Sequence, residues 1–165
     1  MGKPNRANAH GYTLIEVLTV IMVLAIIIGS GWALSTGYVT YLQKARDTER
    51  QSDVEGLARY FEQYYRVNAS VSGPTYPTTT QVNSSLTSLI DPSDISITRA
   101  PDQSSNSVSV AADTNAARPS FDQYIYQPIT SAGAICSAAP CVRFVFYYRS
   151  ETTGNVVTVE SRRQQ

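Results

Sequence analysis

The distribution of apolar residues divides the chain into two parts of different character. Residues 17–28 are continuously apolar apart from Thr19, and no charged residue occurs between Glu16 and Lys44. Beyond Lys44 the sequence is rich in Ser, Thr, Asn and Tyr. A helix needs roughly 20 apolar residues to cross a bilayer. The pattern therefore predicts a membrane-spanning helix followed by a polar head.

Apolar residues recur beyond this run at helical spacing. They lie three and four residues apart and form one stripe, made of Val54, Leu57, Ala58, Phe61, Tyr64 and Tyr65. This stripe predicts that the helix continues to about Val67 and docks on a sheet. Acid-before-base pairs at Glu55 with Arg59, and at Glu62 with Arg66, predict an exposed opposite face. The charge-dense segment 44–55 predicts a solvated stem.

Turn and strand signals follow the helix. Gly73-Pro74 and Tyr76-Pro77 forbid its continuation, and a short amphipathic turn covers residues 82–90. Alternation of apolar and polar residues is clearest in 142–148, with a hairpin turn at 152–155. The strand candidates are 95–99, 107–111, 123–127, 142–148 and 156–160. The predicted fold class is α+β, with a long N-terminal helix packed on a small antiparallel sheet.

The first ten residues are polar and resemble the start of an export signal. Lys3 and Arg6 are their only charges, which predicts that the N-terminus stays cytoplasmic while the C-terminal part is translocated. Secretory signal peptides carry small residues for cleavage after the apolar core, whereas Gly11 precedes it. The anchor is therefore expected to survive processing. The alternative is an uncleaved signal anchor, in which Gly11 is incidental.

The run Gly11-Tyr12-Thr13-Leu14-Ile15-Glu16-Val17-Leu18 resembles the class III signal of type IV pilins, pseudopilins and competence pilins. The resemblance implies that prepilin peptidase cuts after Gly11 and methylates the new amine of Tyr12. The family usually has Phe or Met at the position of Tyr12. Residues 45–50 also resemble the Ala-Arg-Asp-x-x-Arg stem of small bacterial pilins and pseudopilins. A type IV pilin-like fold is what this resemblance implies.

Glu16 has a physical argument of its own. An ionisable side chain in a membrane helix is costly and normally marks a functional pairing. In a packed filament, Glu16 of one subunit can neutralise the Tyr12 amine of a neighbour, and the two costs cancel only when the subunits are in register. The alternative places Glu16 at the headgroup interface, where it has no such role.

Gly29, Ser30 and Gly31 interrupt the apolar run and predict a weak point in the helix. Glycine inside a helix costs roughly 1 kcal/mol relative to alanine. The resemblance implies that this part of the stem can lose helical structure in a filament. Close helix packing through small residues is the alternative.

The two cysteines, Cys136 and Cys141, lie close together in the head. A zinc site normally needs four ligands, and the one histidine, His10, belongs to the leader. The spacing also fails the C-x-x-C redox motif. Two free thiols or a short-loop disulfide remain, and export to an oxidising compartment favours the disulfide.

Little in the composition points to catalysis or to a charged ligand. Thirteen basic residues balance thirteen acidic ones, and no imidazole remains after Gly11. No cofactor, metal or catalytic residue is therefore expected. The head aspartates serve loop solubility, with calcium binding as the alternative. A C-terminal basic patch is the candidate site for DNA or another surface ligand, and it is made of Arg143, Arg149, Arg162 and Arg163.

The expected protein is a structural subunit. Its parts are a leader at 1–11, the membrane and assembly half of the helix at 12–42, the soluble half at 43–67 and the head at 68–165. We expect a single-pass protein of the cytoplasmic membrane that polymerises into an extracellular type IV pilus for adhesion, twitching motility or DNA uptake. The expected partners are further pilin subunits, prepilin peptidase and an inner-membrane platform with its ATPase. The alternatives are a pseudopilin of a secretion or competence system, a minor pilin, and a tethered binding module.

Overall fold

The structure is a computed structural model that describes residues 12–67 and 73–163, without the side chains of residues 30–36. Gly11 and the rest of the predicted leader lie outside the described residues. The chain divides into two compact units, Met1–Tyr41 and Leu42–Gln165. Its elements are α1 (Leu14–Val67), α2 (Thr79–Ser85), 3-10 helices at Leu86–Ser88 and Pro92–Thr98, and strands β1 (Val108–Val110), β2 (Tyr124–Ile129), β3 (Arg143–Arg149) and β4 (Val156–Glu160).

Helix α1 begins after Thr13, whose side chain accepts a hydrogen bond from a backbone N–H of the first helical turn. The Glu16 N–H donates to the Thr13 carbonyl at 3.0 Å and to Thr13 Oγ1 at 3.3 Å. The helix then passes through Gly29, Ser30 and Gly31 without a break. A search of the described residues finds no helix with the length and apolar character needed to cross a membrane.

The second unit contains one four-stranded sheet in the order β1-β2-β3-β4. Strands β2, β3 and β4 are antiparallel neighbours, as predicted, whereas β1 runs parallel to β2. The sheet is therefore mixed. Parallel pairing of β1 with β2 requires the connection between them to return to the end of the sheet where β1 began.

One of the five strand candidates was wrong. Residues 95–99 fall mostly in the 3-10 helix Pro92–Thr98 rather than in a strand. Asp91 caps this helix by accepting from the Ser93 N–H at 2.9 Å, and Pro92 supplies a preset backbone angle at its first position. These two local signals outweighed the β-branched residues that follow.

The core forms where the α1 stripe meets the sheet. Val54, Leu57 and Phe61 are fully buried, as the stripe predicted. The Phe61 ring is 4.7 Å from that of Tyr126 and 5.4 Å from that of Phe146, between ring centroids. Phe61 thereby joins the helix to two adjacent strands.

The alternation predicted for β3 is confirmed with one exception. Phe144 and Phe146 point into the core, while the residues at the strand ends, Arg143 and Arg149, are exposed. Tyr147 belongs to the opposite face and yet is buried, because its hydroxyl donates to Gln127 Oε1 at 2.9 Å. The Gln127 amide in turn donates to two carbonyls of the loop after β1, which ties that loop to this face of the sheet.

The cysteines form the predicted disulfide, so the free-thiol alternative is wrong. The loop closed by this bond also holds the chain segment that leads into α2. The Tyr76 N–H donates to the Cys141 carbonyl at 2.9 Å, and the Thr79 N–H donates to the Cys136 carbonyl at 3.0 Å. The two buried cysteines therefore fasten this loop to the buried segment 75–78.

Candidate assembly site

The N-terminal end of α1 carries the residues that the sequence assigns to processing and assembly. Tyr12 is 81% exposed, and Glu16 lies in the first helical turn. An acidic side chain is favourable there because the helix N-terminus carries partial positive charge. Among the described residues, the Glu16 carboxylate makes no hydrogen bond or ion pair. It is accessible to a cation from another molecule.

The apolar side chains that follow Glu16 are also exposed. Every described side chain from Tyr12 to Gly29 is solvent-accessible, and the large apolar ones are exposed by 48% at Val17 to 83% at Leu14. A continuous apolar surface of this size marks a membrane or protein interaction site. Gly29 is part of this open surface, because no described atom of a neighbouring group lies within 4 Å of the position that a Cβ would occupy there. The glycine is not needed to accommodate a neighbour from the same chain.

A second cluster, which we name the clasp, lies in the other unit and consists of Arg46, Asp47, Arg50 and Glu151. Arg46 binds the Glu151 carboxylate with both Nε and a terminal nitrogen, the latter at 2.6 Å. Arg50 is 1% exposed and donates to Glu151 Oε1, to Asp47 Oδ1 at 3.2 Å and to the Phe121 carbonyl at 3.0 Å. The clasp joins α1 to the hairpin between β3 and β4.

Asp47 is the acceptor that shapes this hairpin. Its carboxylate accepts from the Glu151 N–H at 2.8 Å, the Thr152 N–H at 2.9 Å and the Ser150 hydroxyl at 2.8 Å. Burial opposes ionisation of Asp47, but hydrogen bonds from Thr152, Glu151 and Ser150 prevail and lower its pKa to about 2. The hydrogen bond from Arg46, followed by that from Arg50, lowers the pKa of Glu151 despite its partial burial. Both carboxylates of the clasp, Asp47 and Glu151, are thus ionised at neutral pH.

The clasp overturns the expectation that residues 44–55 form a merely solvated stem. Arg46 and Arg50 are four residues apart on one helix face, and Asp47 precedes Arg50 by three. That spacing was visible in the Ala-Arg-Asp-x-x-Arg motif. Their shared partner Glu151 lies 101 residues beyond Arg50, so no local pattern connected them.

Comparison with known families supports the assignment of the N-terminal segment. The chain matches the family described as the prokaryotic N-terminal methylation motif over residues 6–32. The chain carries the class III signal of type IV pilins and pseudopilins. The match includes Gly11, Tyr12 and Glu16 and ends before the clasp. No curated protein and no solved structure matches the chain.

Glu62 does not belong to the exposed face predicted for it. It is 9% exposed and accepts from the Tyr76 hydroxyl at 2.9 Å and from the Arg162 N–H at 2.8 Å. The expected pairing of Glu55 with Arg59 is also altered, because Arg59 Nε donates to the Glu55 backbone carbonyl. Helical spacing alone did not distinguish an exposed acidic residue from one that accepts hydrogen bonds from distant parts of the chain.

The candidate ligand residues of the head are separated in space or occupied. Arg143 and Arg149 stand at opposite ends of β3, about 20 Å apart at 3.3 Å per residue. Arg163 lies over the ring of Tyr65 at 4.7 Å. Within residues 12–67 and 73–163, no three His, Cys, Asp or Glu residues are placed to share a metal ion.

Asp53 provides a test of the electrostatics of this unit. Burial raises its pKa to about 6, although the Tyr124 hydroxyl donates to it at 2.9 Å, and the nearby charge of Glu49 raises the pKa further. In the unfolded chain an aspartate titrates near 3.9. The folded state therefore binds the extra proton between about pH 4 and pH 6.

We expect the free energy of unfolding to fall by about 1–2 kcal/mol between pH 4 and pH 7, with allowance for the solvent screening of this half-buried carboxyl. The contribution is present below the unfolded pKa and is lost as pH rises through the folded pKa. Asp53→Asn keeps an acceptor for Tyr124 and should remove the fall, as measured by thermal unfolding. Asp122→Asn, at an exposed position, should retain it. An unchanged slope in Asp53→Asn would contradict the assignment.

Proposed function

We propose that the chain is a structural subunit that polymerises, after cleavage between Gly11 and Tyr12, into a filament of the type IV pilus kind. The carrying observation is the class III signal placed directly before the helical segment 14–29, whose apolar side chains are all exposed. Such a surface needs a membrane before assembly and other subunits after it. Roles in adhesion, twitching motility or DNA uptake fit such a filament.

The dimensions of the charge-free segment support membrane residence before assembly. Residues 17–43 contain no charged side chain. At 1.5 Å per residue they extend about 40 Å, close to the thickness of a bilayer with its headgroups. We propose a single-pass precursor of the cytoplasmic membrane, with its N-terminus in the cytoplasm. Prepilin peptidase and an inner-membrane platform with its ATPase are the partners this route requires.

A pseudopilin of a type II-like secretion or competence system is the second candidate, because the same signal serves that class. A minor pilin is a variant of the first candidate, the pilus subunit. All of these candidates predict the same processing, so they differ in how much of the chain occurs in surface filaments.

The decisive experiment is mass spectrometry and electron microscopy of filaments sheared from the cell surface. We expect the surface form to begin at an N-methylated Tyr12 and to be the bulk component of the filaments. A surface protein that still carries residues 1–11 would instead indicate a simple signal anchor. A methylated Tyr12 in a chain confined to the membrane fraction would favour the pseudopilin.

A further inference from the structure

An open groove lies in the second unit between α1 and the segment formed by α2 and the 3-10 helix Leu86–Ser88. Its volume is about 680 Å³, and its walls include Tyr60, Gln63 and Tyr64 from α1 and Gln81 and Asp91 from the opposite side. The groove belongs to neither the clasp nor the N-terminal assembly segment. It is large enough for two or three linked rings of a small ligand.

The two tyrosines of the groove have fixed hydroxyl groups. Tyr60 Oη donates to Asp94 Oδ2 at 2.6 Å, and Tyr64 Oη accepts from the Gln81 amide at 2.8 Å. Gln81 is itself held by the capping box of α2, in which it exchanges hydrogen bonds with Thr78. Fixing the hydroxyls leaves the rings as prepositioned contact surfaces, with little conformational entropy to lose on binding.

The polar groups of the groove select the chemistry of a ligand. Gln63 is exposed and offers an amide with both a donor and an acceptor. Asp91 uses Oδ1 for Ser93, which leaves its second oxygen to accept from a ligand. Among the described residues that line the groove, none is Lys or Arg. Phosphate-bearing and other anionic ligands therefore lack a counter-charge there, whereas hydroxyl groups have both donors and acceptors to meet.

We propose that this groove binds a neutral oligosaccharide. The rings of Tyr60 and Tyr64 contact the apolar faces of the sugar rings, and Gln63 and Asp91 bind the hydroxyl groups. The inference goes beyond filament formation and would give the head a ligand at a site outside the N-terminal assembly segment of α1. It does not depend on the filament, since binding can be measured on the unassembled chain.

Saturation-transfer difference NMR on the full processed chain tests the proposal directly. The chain is held in lipid nanodiscs rather than in a sugar-based detergent, which would compete for the groove. The probes are chitotriose, maltotriose and lactose, with sialyllactose and a short heparin oligosaccharide as anionic comparisons. We expect a signal from at least one neutral sugar and weaker or absent signals from the anionic ones.

Variants locate the binding. Tyr60→Ala should raise the dissociation constant for the sugar about tenfold, which corresponds to a loss of about 1.4 kcal/mol of binding free energy. Tyr60→Phe should retain most of the binding. Gln63→Ala, at an exposed position that leaves folding intact, should weaken it by roughly three- to tenfold through a lost hydrogen bond. Gln103→Ala is the matched control for Gln63→Ala, since Gln103 is an exposed glutamine of the same unit and lies outside the groove.

Three results would each overturn the proposal. These are the absence of a signal from every neutral sugar at millimolar concentration, binding of the anionic sugars in preference to the neutral ones, and equal losses in Gln63→Ala and Gln103→Ala. Normal filaments alongside any of these results would leave the proposed function standing, so the two proposals fail separately.

Discussion

Glu16→Ala is expected to leave membrane insertion intact and to abolish filaments or reduce them to disordered fragments. The alanine removes the carboxylate that, in the proposed filament, meets the Tyr12 amine of a neighbouring subunit. An unpaired charge in an apolar environment costs several kcal/mol, and each 1.4 kcal/mol is a factor of ten in association. Loss of the pair at every subunit contact should therefore reduce assembly at least a hundredfold. The measurement is the mass of sheared filaments per cell, with carbonate extraction to verify insertion.

Two further variants separate charge from shape. Glu16→Gln keeps the size and polarity of the side chain and should fail as Glu16→Ala does, because the charge is what the amine requires. Thr19→Ala changes an exposed residue one turn away and should assemble normally. Normal filaments from Glu16→Gln would falsify the ion-pair mechanism while leaving the pilin-like assignment in place.

The second large effect is expected at the clasp. Glu151→Ala should lower the free energy of unfolding of the second unit by about 3–5 kcal/mol, because it leaves the buried guanidinium of Arg50 without its main partner. Arg46 also loses Glu151, but its side chain is 30% exposed and can be solvated. Thermal or denaturant unfolding of the chain in nanodiscs gives the measurement. Asp122→Asn removes an exposed carboxylate and should change stability by less than about 0.5 kcal/mol.

A double variant identifies the source of that loss. In Glu151→Leu with Arg50→Met the carboxylate and the guanidinium are both replaced by apolar groups. Asp47 loses Arg50 but keeps its hydrogen bonds from the Ser150 hydroxyl and from two backbone N–H groups. We expect the double variant to be more stable than Glu151→Ala, as often holds for buried ion pairs. If the double variant were the less stable of the two, the clasp would contribute through its hydrogen bonds rather than through charge compensation.

Sequence reasoning was most successful where a signal was local or repeated. The helical stripe around Phe61 and the alternation around Phe146 predicted which faces are buried, because a buried face must show apolar residues at the period of its element. Strand β4 has the predicted bounds, since a turn signal lies directly before it. The disulfide followed from the closeness of Cys136 and Cys141 and from the expected export.

One of its errors arose from contacts between distant parts of the chain, and another from a local cap that starts a short helix. Glu62 was assigned to solvent from its spacing to Arg66, yet it accepts hydrogen bonds from Tyr76 and Arg162. Residues 95–99 were assigned to a strand from their β-branched side chains, yet a cap at Asp91 starts a 3-10 helix. In both places the residue type was compatible with two environments, and the surrounding structure selected one.

The sequence by itself determined the class III signal, the position of Glu16, the two periodicities that build the core, and the α+β class of the fold. These are properties of neighbouring residues, and each is read from a short window. Only the tertiary structure decided that β1 runs parallel to β2, that Arg50 is buried against Glu151, and that Tyr60 and Tyr64 line one groove. The physical reason is that a charge or a strand edge acquires its partner only when the chain closes a long loop, and the position of that partner leaves no mark in the local pattern.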